Sequence, residues 1–125
     1  MKKTNLTKSP YNRRFEEIRD HEKAHVEALT TTITDPGGTP VQEAEYKVGY
    51  ETVSEFVATA AHFKDIGMSA YAGAASFISS SEVLTSAPNI HSVEARHASY
   101  FGTLSLRQAA PDAFDTARSM NQVLP

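Results

Sequence analysis

Two stretches of the chain set a glutamate and a histidine, three residues apart, inside an apolar stripe of helical spacing. Phe15, Ile18, Glu22, His25 and Leu29 follow at steps of three, four, three and four, which on a helix puts all five on one face. Ile90, Glu94, His97, Phe101 and Leu104 repeat the arrangement. An apolar stripe predicts a buried face, and an ionised carboxylate buried without partners costs several kcal/mol. The stripes therefore require something in the interior that compensates Glu22 and Glu94, and a bound cation is one such partner. A single Glu-x-x-His is most often a surface pair. Two copies at the same phase of two stripes point inward instead, and make Glu22, His25, Glu94 and His97 candidate metal ligands. Side chains three apart on a helix reach the same side, so a carboxylate oxygen and an imidazole nitrogen can meet one ion or adjacent ions. Paired elements of this kind, with two further glutamates from other helices, build di-iron or di-manganese carboxylate sites.

The rest of the chain reads as helices with clear breaks. Ser9-Pro10 is a helix-start pair, since Ser can cap free amides and Pro suits the first helical position. It predicts a helix from Pro10 to Ile33. Thr34-Asp35-Pro36-Gly37-Gly38-Thr39-Pro40 stops it. Val53, Phe56, Ala60, Phe63, Gly67, Ala70, Ala74 and Phe77 recur at helical spacing within a second helix predicted from Tyr46 to Ile78. Its second half is rich in small residues, which lets another backbone approach closely. Ser79-Ser80-Ser81 ends it. A third helix runs to about Gln108, starting near Glu82 or just before Pro88. Beyond Ala109, short turns are expected to pack Phe114, Met120 and Val123 onto the helices. The fold class is thus all-α, a bundle of three main helices over residues 10–125, behind a flexible tail at 1–9.

Composition removes several function classes. Lys and Arg number 12 against 15 Asp and Glu, for a net charge of -3, so a general nucleic-acid surface is not expected, despite Lys2, Lys3, Lys8, Arg13 and Arg14 near the start. The absence of cysteine excludes disulfides and thiolate chemistry. There is no apolar run long enough to span a membrane and no apolar core of a signal peptide, so the sequence as written is expected to be cytoplasmic. The serine run at 79–81 lacks a nucleophile elbow, and Gly37-Gly38 is a turn without the residues of a phosphate cradle. His21, His62 and His91 lie off the two stripes and are expected at the surface or in packing.

Several segments together resemble one family. They are His21-Glu22-Lys23-Ala24-His25-Val26-Glu27-Ala28-Leu29, the run from Asp65 to Ala75, Ile90-His91-Ser92-Val93-Glu94-Ala95-Arg96-His97-Ala98, and Pro111-Asp112-Ala113-Phe114-Asp115. The chain is similar to the ferritin-like domains that include plant desiccation-related proteins and their fungal and bacterial relatives. The resemblance implies a helical bundle around a di-metal site, of which this sequence keeps Glu22, His25, Glu94 and His97. Two departures stand out: the family's preceding helix, with its own Glu, has no counterpart, and Lys64 occupies a position where the family usually has Glu. The implied site is half dismantled. Lys64 then either sets its ammonium between Glu22 and Glu94, in place of a metal, or extends to solvent along its aliphatic stem. Tyr71 is the expected neighbour from the second helix.

Three functions compete on these grounds. One is a non-catalytic, stress- or development-associated helical protein with a degenerate site. Another is an iron- or manganese-binding protein whose site is completed by a homodimer or by a helix from another chain, with iron- and dioxygen-dependent oxidation as the conceivable activity. The third is a truncated form of a complete family member, with an apolar groove where a further helix belongs.

Overall fold

A computed structural model describes residues 10–124, and among them it contains helices and no strand: α1 (Asn12–Thr34), α2 (Val53–Ala74), α3 (Ser81–Leu104) and α4 (Met120–Val123), with a 3-10 turn over Ala75–Phe77. The expected tail at 1–9 and the Ser9 cap lie outside the described residues. The chain divides into two compact units, Met1–Val53 and Ser54–Pro125.

In the first unit, α1 opens on side-chain pairs one turn apart. Asn12 donates to Glu16 at 3.2 Å, and Arg13 and Arg14 both pair with Glu17, at 3.0 and 2.6 Å. Such exposed pairs contribute a few tenths of a kcal/mol each. The predicted stripe is the less exposed side of the helix, with Phe15, Ile18, Glu22 and His25 half-buried, yet no residue of α1 is fully buried and Leu29 is exposed. The expectation of a sealed face is corrected here. Three apolar side chains interrupted by Glu and His leave the face only partly covered, although the Glu22 Oε1 atom itself is out of contact with solvent. The helix ends as its glycines require. The Gly37 amide donates to Thr34 O at 2.8 Å and the Gly38 amide to Ile33 O at 2.9 Å, the two bonds of a Schellman turn, with Gly37 at φ +92° in the left-handed position. A Cβ on Gly38 would lie 2.6 Å from the Ile33 carbonyl oxygen, so both glycines are needed.

In the second unit, α2 begins at Val53, seven residues after the predicted start at Tyr46. Gly49 and the β-branched Val48 and Thr52 disfavour helix over 46–52, and the apolar periodicity itself begins only at Val53. α3 starts at Ser81, the earlier of the two predicted places. The Ser80 hydroxyl caps it by accepting from the Val83 amide at 3.3 Å. Pro88 is carried inside α3, where it removes one backbone donor. The helix stops at Leu104, short of Gln108, in another Schellman turn: the Leu106 amide donates to Thr103 O and the Arg107 amide to Gly102 O. Here the left-handed position is held by Leu106, at φ 60°.

α2 and α3 are antiparallel, because Phe56 meets Phe101 while Lys64 meets Glu94, so one pairing advances as the other recedes. The Phe56 and Phe101 rings stand edge to face, 6.1 Å apart at 81°. Val57, Ala61, Ala98 and Phe101 form the small apolar core. The C-terminal segment crosses α2 at its small residues, as the composition of that stretch predicts. The Arg118 amide donates to Ser69 O at 3.0 Å, and its backbone lies so close to Gly73 that any Cβ there would overlap the Arg118 carbonyl. The expected packing of Phe114 and Met120 is overturned, for both are exposed; only Val123 is half-buried. Met120 stands at the first position of this single-turn helix, where it stays exposed although it shares a side with Val123.

A candidate polar centre on the second and third helices

α3 presents Glu94, His97, Ala98 and Phe101 on one buried face, with Glu94 and His97 each only 5% exposed. The stripe read from the sequence is thus the true inner face of this helix, Glu and His included. On α2 the buried face runs through Val57, Ala61 and Ser69, not through the predicted Phe63, which is exposed. The face is rotated by one residue. That rotation turns Lys64 inward.

The Lys64 Nζ donates to Glu94 Oε2 at 3.0 Å, with side chains 16% and 7% exposed, and His97 Nδ1 lies 4.0 Å from the same oxygen. The first contact is a charge-assisted hydrogen bond; the second is proximity, since 4.0 Å exceeds hydrogen-bond reach. A pair of unit charges at this range gains on the order of 5 kcal/mol in an effective dielectric of about 20. Desolvation of two ions consumes most of such a gain, so the pair neutralises and orients Glu94 more than it stabilises the fold. The Lys64 ammonium is thus directed at Glu94 and not along its stem to solvent.

An iron or manganese pair is held by carboxylates that bridge two ions, whereas the second unit offers one carboxylate, one imidazole and one ammonium. A protonated lysine on Glu94 Oε2 stands where a cation bound to that oxygen would be. With Lys64 so placed, these residues do not fit a di-metal centre.

Glu22 and His25 belong to the first unit, where they share the half-buried side of α1. Tyr71 is half-buried on α2, two turns beyond Lys64. His21 and His62 are exposed. His91, off the stripe, has a partner that the sequence did not announce: its Nε2 is 3.3 Å from Asp115 Oδ2. Arg107 likewise pairs with Asp65, next to Lys64. Both contacts tie the C-terminal segment to a helix, and no local spacing signals either.

No helix among the described residues is long and apolar enough to cross a membrane. A sequence model described as a ferritin-like domain matches residues 1–107, a span that takes in α1, α2 and α3. No curated protein matches the chain.

Proposed function

Because the chain belongs to the ferritin-like domain family, we propose that its polar centre is the remnant of a metal–carboxylate site in which the Lys64 ammonium takes a cation's place, and that the protein is a non-catalytic helical scaffold. One observation supports this above the others: the 3.0 Å contact between Lys64 Nζ and Glu94 Oε2, made by two largely buried side chains. A fixed positive charge on that oxygen removes the electrostatic demand for a metal and supplies no redox chemistry. The likeness of its segments to desiccation-related proteins extends the reading to a stress- or development-associated role.

A second reading is favoured by the placement of Glu94 and His97 three residues apart on a buried face. Should Lys64 release Glu94, these two make part of a site for a single iron or manganese ion, completed by a second copy of the chain or by a helix from another protein. Oxidation by dioxygen belongs to this reading alone.

Elemental analysis of the purified protein, together with its mass in solution, separates the two, with Lys64→Glu as the companion variant. The scaffold reading expects a metal-free protein and a gain of iron or manganese binding in Lys64→Glu. Stoichiometric metal in the unmutated chain overturns it, and a metal-bearing dimer establishes the second.

A further inference from the structure

In the second unit, the segment that follows α3 meets the helices at three points. Arg107 pairs with Asp65, Asp115 faces His91, and the Arg118 amide bonds to Ser69. Between this strap and the two helices lies a cavity of about 500 Å³, within the size range of small-molecule sites. Its apolar walls include Met68, Ala95, Ala98 and Phe114. Six charged side chains also line it: Arg96, Arg107, Arg118, Asp65, Asp112 and Asp115.

The charges cancel only in number. Asp65 is engaged by Arg107, and Asp115 Oδ2 lies 3.3 Å from His91 Nε2 without a hydrogen bond, while Arg96 donates only to the backbone and hydroxyl of its own helix at Ser92. Arg118, half-buried, makes no ion pair with any described residue. Two guanidinium groups thus remain without a carboxylate partner, beside the carboxylates of Asp112 and Asp115. Arg118 is also held in register from behind, since its backbone is fixed on Ser69 and lodged against Gly73. A planar guanidinium on an anchored backbone is suited to bidentate recognition of a carboxylate or phosphate.

We propose that this cavity is a binding site for a small organic oxyanion, a carboxylate or phosphate carried on an apolar body. The anionic head meets Arg118 and Arg96, and the body lies against Met68, Ala98 and Phe114. The site is separate from the Lys64–Glu94 centre and independent of whether that centre takes metal.

Titration of the full chain with phenyl phosphate, benzoate and the cation benzamidine, followed by amide chemical shifts, tests the proposal. The expected result is saturable binding of at least one of the two anions, with shifts at Ala95, Ser99 and Phe114; the stronger of the two identifies the head group. Arg118→Gln is expected to weaken that binding about tenfold or more, Arg118→Lys by less, and added salt to weaken it in the unmutated protein. Circular dichroism of both variants establishes that they are folded. No saturable binding of either anion, binding indifferent to Arg118→Gln in a folded variant, or equal binding of benzamidine would each overturn it.

Discussion

Lys64 and Glu94 join α2 to α3 through a 3.0 Å hydrogen bond between oppositely charged groups, at a depth where neither side chain is more than 16% exposed. Removing one partner strands the other in a poorly solvated place, which in comparable pairs costs about 3 to 5 kcal/mol. Lys64→Met is therefore expected to lower the urea midpoint sharply, and Lys64→Met with Glu94→Gln to recover most of the loss. A single variant within about 1 kcal/mol of the parent, the range of an exposed pair, would show that Glu94 is compensated elsewhere.

Gly73 is a position of contact, not of backbone freedom. The Arg118 carbonyl fills the space a methyl group would need, so Gly73→Ala must push the C-terminal segment away from α2. The expected cost is about 1 to 3 kcal/mol, with faster hydrogen exchange at the Arg118 amide. Unchanged exchange there would mean that the segment does not rest on α2.

The two Schellman turns offer an internal comparison. Gly37 takes the left-handed position after α1 without strain, whereas Leu106 takes it after α3 at a cost of about 1 kcal/mol. Leu106→Gly is expected to stabilise the protein by about that amount, and Gly37→Ala to destabilise it similarly. Thermal unfolding measures both, and the opposite signs are the test.

Glu17 accounts for one pH response. Hydrogen bonds from Arg14 first, and Arg13 second, hold its carboxyl below the ordinary 4.5. Because the folded value is the lower one, the unfolded chain binds more protons in this window. The contribution of Glu17 is present above 4.5 and is lost as pH falls through the lowered folded value. Titration of its carboxyl carbon by NMR should show Arg14→Gln moving the midpoint back toward 4.5, with a slight loss of helicity at the start of α1.

How far the fold could be read beforehand differed between helices for physical reasons. On α3 the stripe from Ile90 to Leu104 contrasts bulky apolar with charged residues, so its phase was plain, and Glu94 and His97 lie where that phase puts them. On α2 the contrast is weak, because Ala60, Ala61, Gly67 and Ala70 bury little surface in either phase. The large Phe63 dominates the apolar pattern there, yet it is exposed while Lys64 beside it turns inward. The stop after Ile33 was legible from prolines and glycines. The stop after Leu104 was not, because a leucine does there what glycine usually does. Contacts such as His91 with Asp115 join residues twenty-four apart and leave no periodic trace.

The proline inside α3 carries a consequence for motion. With no amide at position 88, one rung of the ladder linking the opening turns of α3 to the remainder is missing. Amides of residues 81–87 are therefore expected to exchange faster than those of the portion bearing Glu94 and His97, so that breathing at the entrance of α3 need not reach the charged interior.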